Sequence, residues 1–208
     1  MDDFISERNV FMPNYELYIP SVEGYQIFLT NLEKDMPDWL TREAQLLKEF
    51  SNTPGNTDEK IVKHRVREVN RRYSTRVSHK VLDEMVSFIV HSDFDRKLDS
   101  NDYKLVDELR RAHTRSKKSG RVDYLSFASK YCHHCRPNRY PIYDSVNVCV
   151  FEVFLGYKDR RDYGDYVECF KALCSSLKLK EFDGFYLDKY IQAIGSPTGS
   201  QSRLLLKK

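Results

Sequence analysis

The sequence predicts an all-α fold of roughly eight or nine helices of ordinary length. Three observations carry that prediction. Nearly every periodic run of apolar residues repeats at helical spacing, no segment alternates as a strand would, and residues that cap or break helices fall between the runs.

Val22, Tyr25, Phe28, Leu29 and Leu32 form the first stripe, started by Ser21 with Gly24 one turn later. Trp39, Leu40, Leu47 and Phe50 mark a second helix entered through Pro37-Asp38, since a first helical turn tolerates proline. The run Ser51-Asn52-Thr53-Pro54-Gly55-Asn56 is the clearest break and the predicted boundary between lobes. Thr57 or Asp58 then caps a third helix, with Ile61, Val62, Val66, Val69 and Tyr73 facing inward. Lys63, Arg65, Arg67, Arg71 and Arg72 are distributed around the rest of its surface. A fourth helix runs from Ser78 through Val81, Leu82, Met85, Phe88 and Ile89 to Ser92-Asp93. Asp102 to Arg115 predicts a fifth, a polar linker follows over 115–121, and Tyr124 to Cys135 predicts a sixth.

Pro141 prevents the sixth helix from continuing, and Asp144 or Ser145 is placed to cap the next one. That next segment, Val146 to Leu155, is apolar all round and is expected to run through the core. Asp144 thus stands where free backbone N–H groups and the positive helix end favour an ionised carboxylate. Ordinary capping accounts equally well for an aspartate there. Tyr163–Leu177 and Phe182–Ile194 are amphipathic, and the tail Ser196–Ser200 is expected to be disordered.

With 208 residues the chain can bury a sizeable core, as one domain or as two small lobes. Its net charge of +3 does not by itself indicate a nucleic-acid partner. The charge is uneven, basic over 60–80 and 110–121 and acidic over 93–108 and 159–168, although solvated helix faces produce the same clusters. No apolar run is long enough to span a bilayer, and the acidic, proline-broken start is unlike a signal or transit peptide. The expectation is a soluble intracellular protein, cytoplasmic or nucleoid-associated, with no membrane partner. Five cysteines, an odd count, point to reduced thiols.

At Ala128 and at Tyr140-Pro141-Ile142-Tyr143-Asp144-Ser145-Val146-Asn147-Val148 the chain resembles the helix-hairpin-helix DNA glycosylases, the superfamily that holds endonuclease III and the mismatch adenine glycosylases. In that family a helix ends, a short apolar-Pro-apolar link follows, and a catalytic aspartate caps a buried helix. The resemblance implies that Asp144 is this aspartate, kept anionic to stabilise the oxocarbenium-like sugar formed as the N-glycosidic bond breaks. Ala128 falls where the family keeps a small residue for close helix packing. Ser126 falls where bifunctional members keep a Schiff-base lysine and the adenine glycosylases a serine. A branch of small proteins in this superfamily shares Ser126–Tyr131, Tyr140–Asp144 and Leu187–Tyr190.

The resemblance also implies a two-lobed fold, with a terminal lobe at residues 1–56 plus 145–195, a central lobe at 57–144 and a flexible tail at 196–208. The family hairpin, Leu-Pro-Gly-x-Gly, is degenerate here, because Gly120-Arg121-Val122-Asp123-Tyr124-Leu125 holds one glycine. Lys117, Lys118 and Arg121 are the candidates to replace its backbone donors with side-chain charge, which gives affinity without sequence reading. Cys149, Cys169 and Cys174 lack the spacing of the iron–sulfur members, so no cluster and no other cofactor is implied.

Lys130 lies four residues after Ser126 and so on the same helical face, from which it reaches the space before Asp144 or else snorkels to solvent. Cys132-His133-His134-Cys135 has half of a zinc pattern without a second pair, and two small apolar residues in the core explain it as well. His133 and His134 are alternatively candidates to meet a phosphate or an extruded base. Arg136, Asn138 and Arg139 occupy the loop leading to Asp144 and offer phosphate contacts, or form a solvated turn. Tyr143 and Tyr140 are candidates to stack on a flipped base. The leading expectation is a DNA-binding glycosylase-like protein that hydrolyses the N-glycosidic bond of a damaged, modified or mispaired base, with Asp144, Ser126 and Lys130 at the chemistry. The alternative is an inactive DNA- or protein-binding module on the same scaffold.

Overall fold

The computed structural model describes residues 20–35, 37–112, 123–158, 161–179 and 184–195. These contain ten helices and no strand, so the all-α expectation is met. Helices α1 (Val22–Asp35) and α2 (Pro37–Asn52) precede the predicted break. After it come α3 (Glu59–Arg72) and α4 (His79–His91), which pack along one another. Asp58 caps α3 by accepting from the backbone N–H groups of Lys60 and Ile61, whereas Ser78 makes no side-chain cap bond for α4.

A six-residue helix, α5 (Phe94–Asp99), has no counterpart in the sequence prediction. It buries only Phe94 and Leu98, too few positions to show a period. The predicted fifth helix is the shorter α6 (Lys104–Arg110), and α7 (Leu125–Cys135) follows. Helices α8 (Ser145–Leu155), α9 (Tyr163–Ser176) and α10 (Gly184–Gly195) complete the described chain. The two ends meet where α1 packs on α10. There the Tyr190 hydroxyl accepts from the Ser21 N–H at 3.1 Å, and its ring lies against Tyr25 and Phe28.

One helix is buried nearly all round, and it is α7 instead of α8. Leu125 and every residue from Phe127 to His134 are buried, because α2, α3 and α6 all pack on this helix. Helix α8 buries Asn147, Val148, Val150 and Phe151 but leaves Glu152 and Leu155 exposed and Val146, Cys149, Val153 and Phe154 half-buried. Uniform apolarity misled the expectation for α8, since α10 and α9 cover only part of its circumference. Conversely, the polar residues of α7 are buried because each has a partner.

Arg65 also departs from expectation. Instead of lying on the surface of α3 it is only 2 % exposed. Its guanidinium donates to the carbonyls of Phe50 at 2.9 Å and Gly55 at 2.8 Å, to Thr53 Oγ1 at 2.8 Å and to the Thr53 carbonyl, while stacking over the Phe50 ring. A cation thereby satisfies carbonyls that the C-terminal end of α2 leaves open, where the helix dipole favours positive charge. The segment read as a lobe boundary is tied down by Arg65 and, at Asn56, by Asp95 and Tyr131.

Arg65→Met is predicted to destabilise the fold by about 3 kcal/mol, because it removes a buried cation and strips charge-assisted bonds from the carbonyls of Phe50, Thr53 and Gly55. Thermal unfolding should then show a Tm lower by roughly 6–12 °C. An unchanged Tm would contradict this role.

Candidate functional site

The link between α7 and α8 is held at almost every peptide. His133 Nδ1 pairs with the Tyr140 carbonyl at 2.8 Å, and the Tyr163 hydroxyl donates to the Pro141 carbonyl at 2.6 Å. The Ile142 carbonyl accepts from the Tyr166 hydroxyl and from Asn147 Nδ2. The Tyr143 N–H donates to Ser129 Oγ at 3.0 Å. Asn147 is in turn fixed by Asp188, whose Oδ1 accepts from its Nδ2 at 2.6 Å. These holding groups lie on α7, α8, α9 and α10, so four helices set the position of one short link.

Asp144 emerges from that link as the N-cap of α8. It has extended backbone angles, and its Oδ1 accepts from the Val146 N–H at 2.9 Å. The other oxygen, Oδ2, lies 3.7 Å from Lys130 Nζ. Lys130 donates to Ser126 Oγ at 2.7 Å, reaches the Tyr143 carbonyl at 3.5 Å and sits over the Tyr73 ring at 5.3 Å. Asp144, Lys130 and Ser126 therefore converge, and all three line one open cavity of about 230 Å³. The Asp144 side chain is 30 % exposed, whereas that of Lys130 is 6 % exposed.

The rest of the cavity wall was not anticipated. Tyr73, Tyr124 and Phe127 supply aromatic surface, and Ser74, Thr75 and Asp123 supply polar edges. Ser74 and Thr75 belong to a turn in which Ser74 and Arg76 adopt left-handed φ values of 49° and 58°. Asn70 ties that turn, its Oδ1 accepting from Thr75 Oγ1 at 2.7 Å and from the Val77 N–H at 3.0 Å. Asp123 accepts from the Leu125 N–H at 3.0 Å at the start of α7 and pairs with Arg161 at 3.3 Å. In the sequence Tyr73 reads only as the end of an apolar stripe.

Behind the cavity lies a buried polar chain. The Tyr73 hydroxyl donates to Glu43 Oε2 at 2.7 Å and pairs with His134 Nε2 at 2.8 Å. Lys189 lies 4.0 Å from Glu43 and 3.1 Å from Asp188. Burial works against the Lys189 ammonium, but Asp188 and Glu43 outweigh it and raise its pKa. For Lys130 burial wins over the attraction of Asp144, and its amine is held below the ordinary 10.5. Asp188-Lys189 interrupts the apolar run Leu187, Tyr190, Ile191 and Ile194, a signal that marked buried charge without showing its partners.

Several other expected site residues lie elsewhere. The Tyr143 ring does not line this cavity and packs on Tyr166 at 5.0 Å between centroids. Tyr140 is fully buried and stacks on Tyr163, so it meets no flipped base. His133 and His134 are buried and face the core. Arg136 pairs with Asp99 at 2.8 Å, and Arg139 donates to the Asp99 carbonyl at 2.6 Å, so both bind the end of α5. Cys132 is a core thiol whose pKa burial raises, and among the described residues no group of His, Cys, Asp and Glu is arranged to hold a metal ion. Lys117, Lys118 and Arg121 lie outside the described residues.

A model of the HI_0787_N family, N-terminal domain, matches residues 22–139, more than half of the chain. The match takes in Ser126 and Lys130 and stops short of Asp144. No curated protein and no solved structure matches the chain.

Burial holds both imidazoles of His133 and His134 below the ordinary 6.5. As pH falls below that value the unfolded chain binds protons that the folded chain refuses, so stability falls with pH. Each group contributes a slope of at most about 1.4 kcal/mol per pH unit. Chemical denaturation from about pH 7.5 to about pH 5.5 should show this slope, reduced in His134→Gln. Equal slopes in the two proteins would contradict it.

Proposed function

The chain belongs to the HI_0787_N family, and we propose that it is a DNA glycosylase-like protein that hydrolyses the N-glycosidic bond of a damaged, modified or mispaired base. The carrying observation is the convergence of Asp144, Lys130 and Ser126 on one open cavity with aromatic walls. As the base departs with the C1′–N bonding electrons, positive charge develops on the sugar. Asp144 opposes that charge from the start of α8. Water then adds at C1′ and its proton leaves to the departed base. Ser126 is close enough to orient that water, and Tyr73, Tyr124 and Phe127 offer planar and apolar surface to an extruded base.

The two-lobed arrangement of the helix-hairpin-helix glycosylases is part of this proposal. Lys117, Lys118 and Arg121, which precede α7 in the sequence, are assigned the phosphate contacts. Arg136 and Arg139 are not, because Asp99 already engages them.

A second reading, an inactive DNA- or protein-binding module, is favoured by one feature. Lys130 stands 3.7 Å from Asp144 and offsets part of the charge that catalysis would use.

Base release from a panel of lesion-bearing duplexes separates the two. Asn caps a helix as well as Asp does, so Asp144→Asn should fold normally while base release drops by about 10²–10³-fold. Salt-sensitive duplex binding without base release from any lesion would instead identify the module. No duplex binding even at low salt would refute the glycosylase and the DNA-binding module and leave only a protein-binding one.

A further inference from the structure

Ser126 and Lys130 form a pair whose chemistry is separate from that of Asp144. The Ser126 hydroxyl oxygen lies 2.7 Å from the Lys130 amine, and both residues line the open cavity. Ser126 is half-buried while Lys130 is 5 % exposed, so the oxygen faces the cavity and the amine lies behind it. The two are one helical turn apart on α7, so the backbone fixes their approach. Ser126 also stands in the first turn of α7, where backbone N–H groups have no partner within the helix.

We propose that Ser126 is an acyl-accepting nucleophile with Lys130 as its general base, giving the cavity an esterase activity toward small, uncharged acyl esters. The Ser126 oxygen attacks the ester carbonyl carbon while the Lys130 amine takes the hydroxyl proton. Asp123 holds the Leu125 N–H at the start of α7, so the developing oxyanion is assigned to the N–H groups of Ser126 and Phe127 in the same turn. The tetrahedral intermediate collapses, the C–O bond to the alcohol breaks, and the Lys130 ammonium returns the proton to the leaving oxygen. Water cleaves acyl-Ser126 by the same route, releasing a carboxylic acid and restoring the hydroxyl. A neutral ligand suits the site because Lys130 and Asp144 already balance one another. Burial lowers the basicity of Lys130, which raises the share of free amine near neutral pH.

The test treats the full chain with p-nitrophenyl acetate and, separately, with a fluorophosphonate, and locates the adduct by peptide mass spectrometry. Acyl and phosphonyl groups should be found on Ser126, at a rate that rises with pH and then levels as Lys130 loses its proton. Ser126→Ala should abolish the adduct without loss of Tm. Lys130→Arg, which keeps the charge but cannot serve as base, should slow acylation by about 10²-fold or more. Asp144→Asn should still be acylated, so this activity and base release can fail independently. An unlabelled Ser126 in folded wild-type protein, or acetyl on Lys130 in its place, would overturn the assignment.

Discussion

The geometry of this site depends on how the four peptides before α8 are held. An irregular link between two helices leaves backbone carbonyls without partners, and buried carbonyls need them. Here the partners are buried side chains from α7, α8 and α9, one of which, Asn147, is fixed in turn by Asp188 of α10. That arrangement couples core packing to the orientation of one carboxylate. Asp144 does not choose its direction; the bonds behind it do. It also explains why α7 can carry Ser126, Ser129, Lys130 and His133 deep in the molecule, since those groups bind the link or line the cavity.

Charge is distributed with the same economy. Asp144, Lys130, Glu43, Lys189 and Asp188 alternate in sign from the cavity toward the core, and Tyr73 joins Lys130 to Glu43 with its ring under the one and its hydroxyl on the other. Alternation lets each ion offset the desolvation of its neighbours, which no single buried ion could sustain. The outermost member remains partly exposed, and there a ligand would meet the charge. Lys130 occupies the turning point, buried enough to lose basicity while still forming part of the cavity wall.

Much of the fold was legible in the sequence because it is local. Ser21, Asp58 and Asp144 announce helix starts through the chemistry of capping, and each makes the bond its type suggests. The spacing of Ser126 and Lys130 placed both on one face of α7, and they do meet. What failed was anything that needed tertiary knowledge. Arg65 looks like any surface cation on a basic helix until the end of α2 is brought to it. Val146–Leu155 looks fully buried until its limited neighbours are counted in space. Tyr73, Asp123 and Tyr124 reach the cavity from separate elements, and Tyr143, next to Asp144 in sequence, turns away because alternate residues of an extended link face opposite sides.

The proposed function requires Asp144 to present its carboxylate to a cavity that receives a sugar stripped of, or losing, its base. A crystal structure of the chain with a duplex carrying a stable abasic-site analogue tests it most directly. The abasic sugar should lie in the cavity, with Asp144 Oδ2 facing its anomeric carbon and the flanking phosphates near the start of α7. Duplex bound on another face, or a cavity closed over Asp144 with the sugar left in the helix, would contradict it.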